Sequence, residues 1–191
     1  NFGGKFSDIL CDRLSRLGKN QITNMHAKHY VQSLQQNDDP ICDHIMPVQR
    51  IEAIAIGAST GGITAAITLM DHLDGQFEGP IFFTQHLPES FIPFFARQLE
   101  ESIKREVEIA KEGTYVRAKC IYLAPGDGHL TVVRDAQGAV RIKITDETVS
   151  SGCKPSTDPM FASIAETYSS NACAILLSGM GNDGLAGARI L

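Results

Sequence analysis

The sequence has no excess of basic residues. Lysine and arginine number 17 against 22 aspartates and glutamates, which gives a formal net charge of −5. A protein that binds nucleic acid through phosphate contacts usually carries a basic patch or stripe. The charge balance therefore argues against a nucleic-acid partner.

The cysteines lack the paired spacing of a metal centre or a disulfide framework. There are five, an odd number, and no two of them form a C-x-x-C pair. Scattered cysteines of this kind are typical of reduced thiols in the cytoplasm. The sequence thus predicts a cytoplasmic protein with no metal site.

No apolar run is continuous enough to cross a membrane. The longest stretch without a charged residue covers positions 53–70, and its middle is the polar, glycine-rich segment 57–62. Such a segment would break a helix in lipid, so no membrane insertion is expected. We also recognise no secretory leader.

The sequence does contain enough apolar residues for a folded domain. They make up 43% of 191 residues, a length that suits one domain. The first 50 residues are polar and are interpreted as a linker, which leaves residues 51–191 as the folded domain. Because the chain begins without methionine and ends within a predicted helix, we expect a fragment that is truncated at its C-terminus.

Strand and helix patterns alternate from residue 51 onward. Short β-branched runs predict strands at 51–56, 80–84, 107–110, 120–123 and 173–177, and helical spacing predicts helices at 63–73, 91–103 and 158–168. Residues 131–134 and 140–144 flank a turn and predict a hairpin. The predicted fold is α/β, a doubly wound, mostly parallel sheet in a Rossmann-like three-layer arrangement, with one antiparallel hairpin.

The segment Gly57-Ala58-Ser59-Thr60-Gly61 matches the G-x-S-x-G pattern of a nucleophilic serine. It lies between a predicted strand and a predicted helix, where the serine hydroxyl is exposed and the first N–H groups of the helix can bind an oxyanion. A glycine-rich turn that binds phosphate through the same N–H groups is the alternative. The motif alone does not decide between them.

A histidine and an aspartate are predicted to reach the same edge of the sheet as Ser59. His86 follows the second predicted strand, and Asp183 follows the last one. The carboxyl ends of parallel strands meet at one edge, where open α/β sheets place their sites. An aspartate there can accept the Nδ1–H of the histidine and stabilise the imidazolium that forms during proton transfer.

Five blocks resemble the catalytic domain of the chemotaxis protein-glutamate methylesterases, the CheB family. The resemblance covers about Ile51 to Leu191 and consists of Ile-Gly-Ala-Ser-Thr-Gly-Gly (56–62), Gln-His-Leu-Pro (85–88), Tyr-Leu-Ala-Pro-Gly-Asp-Gly-His (122–129), Lys-Pro-Ser-Thr-Asp (154–158) and Ser-Gly-Met-Gly-Asn-Asp-Gly (178–184).

The resemblance implies a Ser-His-Asp triad that needs no cofactor. In it Ser59 is the nucleophile, His86 the base and Asp183 the group that orients the base, with oxyanion donors from the backbone at Thr60 and from the turn around Met180. His129 occupies a family motif position near the site. The implied activity is hydrolysis of glutamate methyl esters on the cytoplasmic helices of chemoreceptors, together with deamidation of receptor glutamines. The family also implies an upstream receiver domain, whose last helix would fit within residues 1–50.

Two other functions remain open at this point. The glycines after the first strand, with Tyr115 and Lys119 as a Y-x-x-x-K pair, suggest a nucleotide-binding oxidoreductase of the short-chain dehydrogenase type, although that tyrosine follows the glycines too closely. A non-catalytic binding module that keeps the motifs as part of its fold is the other.

Overall fold

Five parallel strands form the central sheet of the protein. The structure is a computed structural model, and it describes residues 50–73, 76–177 and 181–191. The elements in chain order are β1 (Ala53–Ala58), α1 (Gly62–Leu73), β2 (Ile81–Gln85), a 3₁₀ turn (Glu89–Phe91), α2 (Ile92–Ser102), β3 (Glu106–Ile109), β4 (Cys120–Leu123), β5 (His129–Arg134), β6 (Val140–Thr145), α3 (Thr157–Tyr168), a second 3₁₀ turn (Ser169–Asn171), β7 (Ala172–Leu176) and α4 (Leu185–Ile190).

The strand order in the sheet is β3-β4-β2-β1-β7. Strand β1 is paired on one side with β2, where Ala58 faces Gln85, and on the other side with β7, where Gly57 faces Leu176. The segments that follow these three strands therefore leave the sheet at the same carboxyl edge. That edge carries the serine, the histidine and the aspartate singled out in the sequence.

Helices cover both faces of the sheet, as a doubly wound fold requires. On one face, Phe83 of β2 packs against Phe95 of α2 with ring centroids 5.7 Å apart. On the other face, α3 contributes Met160, Phe161 and Ile164 to a buried cluster that includes Phe82 and Tyr122 of the sheet. Because successive strand residues point to opposite faces and both faces are covered, every position of β1 and β2 is buried, and all but Gly57, Thr84 and Gln85 carry apolar side chains.

The predicted hairpin is the antiparallel pair β5 and β6. Its turn is held by Asp135, whose carboxylate accepts hydrogen bonds from the N–H groups of Gln137 and Ala139. Strand β5 also packs against α3, and the Ser163 hydroxyl accepts a hydrogen bond from the Val132 N–H at 3.1 Å. The hairpin thereby extends the layer that α3 forms over the sheet.

The sequence-based fold class is confirmed, with element bounds that differ by one or two residues. Strand β1 begins and ends two residues later than predicted, and β5 begins at His129 rather than at residue 131. Within the described ranges, no helix combines the length and the hydropathy that a bilayer crossing requires. The predicted linker up to residue 49 lies outside the described residues.

Candidate active site

The Ser59 turn joins the end of β1 to the start of α1. The Ser59 carbonyl accepts a hydrogen bond from the Gly62 N–H at 2.9 Å and a second from the Gln85 side-chain amide at 3.0 Å. Gly61 has a φ of 79°, in the left-handed region that glycine adopts most easily. The turn is therefore fixed both by its own backbone and by a buried side chain of the neighbouring strand.

His86 leaves the sheet directly beside Ser59. Its N–H donates to the Ala58 carbonyl at 3.1 Å, which continues the ladder between β1 and β2 by one residue. Adjacent strands are about 4.8 Å apart. The backbone thus brings the two residues onto neighbouring chains at the same edge of the sheet.

His86 also contacts Asp183, 97 positions later in the chain. The His86 Nε2 lies 2.7 Å from the Asp183 Oδ2, and 22% of the His86 side chain is exposed, against 4% of the Asp183 side chain. The contact differs from the expected one, since the acid engages Nε2 rather than Nδ1. The difference arises from tertiary packing, because the Thr157 N–H and the hydroxyls of Ser151 and Ser156 hold the carboxylate on the Nε2 side of the ring. With the Nε2–H donated to Asp183, Nδ1 carries the lone pair.

Three further donors hold the Asp183 carboxylate. Oδ2 accepts the Thr157 N–H at 2.7 Å, and Oδ1 accepts hydrogen bonds from the hydroxyls of Ser151, at 2.9 Å, and Ser156. Thr157 is the first residue of α3, and Ser156 is its N-cap. The carboxylate therefore lies at a helix N-terminus, where backbone N–H groups stabilise negative charge.

These donors determine the charge state of Asp183. Burial by itself raises the pKa of this carboxyl, but the hydrogen bonds from His86 and from the three donors outweigh burial. Their combined effect holds the pKa of Asp183 well below its usual range. Asp183 is thus a carboxylate at neutral pH.

Close packing of β1 against α3 places the helix N-terminus over the end of the strand. A Cβ on Gly57 would lie 2.4 Å from the Cγ2 of Thr157, so only glycine fits there. Helix α4 is attached to the same helix, because the Gly187 N–H donates to the Asp158 carboxylate at 2.8 Å. The Gly187 contact attaches the segment that follows Asp183 to α3.

His129 is a buried side chain that contacts the backbone of Ser156. Only 1% of it is exposed, its Nδ1 accepts the Ser156 N–H at 2.9 Å, and its Nε2 lies 2.9 Å from the Glu147 carbonyl. Both ring nitrogens are engaged by backbone, which requires the neutral ring with the proton on Nε2. His129 therefore positions Ser156, one of the residues that hold Asp183, and does not face the reacting groups.

Of the two predicted sources of oxyanion donors, the structure describes Thr60 but not Met180. Thr60 lies exposed in the turn before α1. Met180 lies outside the described residues.

Several residues of the site were not singled out from the sequence. Ser151 and Ser156 support Asp183, and Gln85 supports the Ser59 turn. The segment Ser156-Thr157-Asp158 does carry the signal of a helix N-cap, but the signal does not say which carboxylate the cap would meet. Cys153 also lies beside His86 and Asp183.

The residues of the oxidoreductase alternative lie elsewhere. Lys119 precedes β4, and its N–H donates to the carbonyl of Glu78, which precedes β2. This pairing puts Lys119 at the amino edge of the sheet, opposite to the Ser59 turn. Tyr115 is bridged to Arg141 of the hairpin. A Y-x-x-x-K pair at this position does not serve a cofactor bound at the glycine turn, so this alternative is not favoured.

Comparison with known families gives a match over the folded domain. The family model described as "CheB methylesterase" matches residues 54–191, which is most of the chain. The chain belongs to the CheB methylesterase family. The predicted family resemblance is thereby confirmed, and it extends over all seven strands.

Individual relatives show the same likeness. A protein of Pseudoalteromonas translucida (strain TAC 125), named protein-glutamate methylesterase/protein-glutamine glutaminase, is 40% identical over 142 residues, which is 73% of this chain and 36% of the relative. A protein of the same name from Treponema pallidum (strain Nichols) is 40% identical over 71% of this chain and 34% of its own length. The chain spans about a third of the length of these curated relatives.

A solved structure resembles the described fold. The crystal structure of the Thermotoga maritima CheB methylesterase catalytic domain has a TM-score of 0.69 and 31% identity to this chain, covering 73% of this chain and 74% of that one. The five-stranded parallel sheet with an added hairpin is thus the architecture of a CheB catalytic domain.

Proposed function

We propose that the protein is a serine hydrolase that removes methyl esters from glutamate side chains of chemoreceptors, and that Ser59, His86 and Asp183 are its catalytic residues. The observation that carries the proposal is the 2.7 Å contact between His86 and Asp183, at the edge where Ser59 ends β1. Family membership and the names of the relatives support the substrate.

The orientation of the His86 ring suits it to act as the base. Because Asp183 accepts the Nε2–H, the Nδ1 lone pair is the one available to a neighbouring hydroxyl. In the proposed reaction the Ser59 oxygen attacks the ester carbonyl and forms a bond to its carbon, while Nδ1 takes the hydroxyl proton. The Asp183 carboxylate stabilises the imidazolium that results.

Backbone N–H groups are proposed to stabilise the tetrahedral oxyanion. The family resemblance makes the backbone at Thr60 the first proposed source, and the Gly62 N–H nearby donates to the Ser59 carbonyl. The turn at Met180 is the second proposed source. Losing one such donor typically costs about 2.7–4 kcal/mol of transition-state stabilisation.

The second half of the reaction regenerates the enzyme. The imidazolium returns its proton to the departing methoxide, so methanol leaves and an acyl-serine remains. His86 then takes a proton from water, the hydroxide attacks the acyl carbon, and the Ser59 oxygen leaves with the proton, which releases glutamate. With a glutamine side chain the same steps release ammonia, and we propose this deamidation as a second activity of the same site.

Two partners are proposed from family membership. They are the cytoplasmic helices of methyl-accepting chemoreceptors and a receiver domain upstream of residue 51.

Methanol release tests the proposal directly. Receptor carrying labelled methyl esters is incubated with the wild-type chain, with Ser59→Ala and with Ser102→Ala, a control in which the lost hydroxyl is exposed at the end of α2. We expect Ser59→Ala to release methanol at the uncatalysed rate and Ser102→Ala at the wild-type rate. Near-normal release by Ser59→Ala would refute the assignment, and a wild-type chain without activity would favour the non-catalytic binding module.

A further inference from the structure

Cys153 lies against two of the three proposed catalytic residues. A ring nitrogen of His86, the Cys153 Sγ and a carboxylate oxygen of Asp183 are all within 4.8 Å of one another. His86 and Cys153 are partly buried, and only 4% of the Asp183 side chain is exposed. Cys153 belongs to the connection between β6 and α3, and no step of the proposed hydrolysis uses its thiol.

The thiol is held in place by the segment that supports Asp183. The Cys153 N–H donates to the Ser151 hydroxyl at 3.3 Å, and the same hydroxyl donates to the Asp183 carboxylate at 2.9 Å. The backbone of Cys153 and the carboxylate of Asp183 therefore share the Ser151 hydroxyl as a support. Ligands oriented by an outer layer of hydrogen bonds are characteristic of protein metal sites.

We propose that His86, Cys153 and Asp183 form a binding site for a thiophilic divalent cation of the zinc class. One nitrogen, one sulfur and one oxygen match the ligand preference of Zn²⁺, whereas Mg²⁺ and Ca²⁺ prefer oxygen ligands alone. A thiolate and a carboxylate together neutralise the two positive charges of the ion, with His86 bound as neutral imidazole. Solvent fills the fourth position, and the exposed part of His86 leaves a path for the ion.

The spacing requires only small movements. With Zn–N and Zn–O distances of about 2.1 Å and a Zn–S distance of about 2.3 Å, tetrahedral ligands are roughly 3.4–3.6 Å apart. Atoms within 4.8 Å of one another reach that spacing by shifts of about 1 Å. Coordination through Nε2 opens the contact between His86 and Asp183, while Asp183 keeps its hydrogen bonds to α3.

Metal binding at this site is incompatible with the proposed hydrolysis, and this consequence rests on the proposed function. Coordination at Nδ1 of His86 occupies the lone pair that would take the Ser59 proton. Coordination at Nε2 breaks the contact with Asp183 and leaves the ring proton on Nδ1. Either geometry removes the base, so the bound ion acts as a reversible inhibitor.

The test compares zinc binding by the wild-type chain, by Cys153→Ala and by Cys173→Ala, a control for another partly buried thiol that lies on β7. Each chain is freed of metal with a chelator and titrated with Zn²⁺ alone, and bound zinc is measured by equilibrium dialysis. Because residues 1–49 also contain cysteine and histidine, the readout is the difference between variants. We expect the wild type and Cys173→Ala each to bind one equivalent of zinc at this site. Cys153→Ala should lack this equivalent or bind it at least about tenfold more weakly, because weakening a ligand's support alone lowers metal affinity by about 10–100-fold.

Two further readouts separate the site from the activity. In the wild-type chain, Zn²⁺ and not Mg²⁺ should protect Cys153 from iodoacetamide, as measured by peptide mass spectrometry, and this test needs no variant. The zinc concentration for half-inhibition of methanol release should rise at least about tenfold in Cys153→Ala, relative to its own metal-free rate. Equal zinc binding by Cys153→Ala and wild type, or alkylation of Cys153 unaffected by zinc, would overturn the proposal. If no methanol is released by any chain, the proposed function fails while the binding and protection results still decide the metal site.

Discussion

Replacing Asp183 by asparagine keeps the shape of the side chain and removes its charge. Oδ2 faces two groups that donate in the present structure, the His86 Nε2–H and the Thr157 N–H, whereas Oδ1 faces the hydroxyls of Ser151 and Ser156. A backbone N–H can only donate, but a hydroxyl can donate or accept. The asparagine amide group should therefore turn toward the hydroxyls, and its oxygen should still accept from His86.

This orientation sets the expected magnitude. Where asparagine forces the wrong histidine tautomer, the loss in kcat is about 10⁴. Here the tautomer is retained, and the loss is limited to the missing charge, roughly 4 kcal/mol at most for a pair about 4 Å apart at an effective dielectric constant of about 20. That corresponds to about 10³ or less in rate. Asp183→Ala loses orientation as well as charge and should cost about 10⁴ or more.

The assay is methanol release at saturating methylated receptor, with wild type, Asp183→Asn and Asp183→Ala measured side by side. We expect the asparagine variant to retain a kcat at least about tenfold above that of the alanine variant. Its urea unfolding curve checks that the variant is folded under assay conditions. If Asp183→Asn is as slow as Asp183→Ala, the hydrogen-bond orientation derived above is incorrect. If it equals wild type, the carboxylate charge has no part in the reaction.

Three further predictions concern stability. Ser156→Ala removes a hydrogen bond to Asp183 and the N-cap of α3, so urea denaturation should show an unfolding free energy lower by about 1–3 kcal/mol. The control Ser102→Ala should lower it by about 0.5 kcal/mol or less. Equal values for the two variants would contradict the role of Ser156. Gly57→Ala places a Cβ 2.4 Å from the Thr157 Cγ2 and should lower the unfolding free energy by about 1–3 kcal/mol. Adding Thr157→Ser removes that methyl group and should restore part of the loss, as measured by Tm. A double variant with no recovery would show that the clash is not the cause. Folding lowers the pKa of Asp183, so the unfolding free energy of wild type should exceed that of Asp183→Asn by the largest amount above pH about 4. The difference between the two should shrink as the pH falls further. A difference that stays constant down to acid pH would be inconsistent with a lowered pKa.

The fold was largely predictable because its strands are short apolar runs separated by helical patterns. The error at β1 shows where this reasoning fails. Gly57 and Ala58 were expected to begin the turn, but both continue the strand, since Leu177 donates to the Gly57 carbonyl at 2.9 Å and His86 to the Ala58 carbonyl at 3.1 Å. Gly57 is glycine because α3 packs against it, and that contact comes from a helix a hundred residues later.

The site was predictable as far as strand topology determines it. Ser59, His86 and Asp183 each follow a parallel strand, so their arrival at one edge follows from the alternation of strands and helices. The groups that hold Asp183 were not predictable in this way. Ser151 and Ser156 lie between the hairpin and α3, and their positions depend on how that helix packs on the sheet. The same dependence on tertiary packing decided which nitrogen of His86 the aspartate would meet.

Covalent labelling shows whether Ser59 is a nucleophile that His86 activates. The wild-type chain and His86→Ala are treated with a serine-directed organophosphonate, and the modified residue and its rate of modification are determined by peptide mass spectrometry. We expect a single adduct on Ser59 that forms at least about 10²-fold more slowly without the His86 base. An adduct on another residue, or labelling of Ser59 at the same rate in both chains, would contradict this assignment.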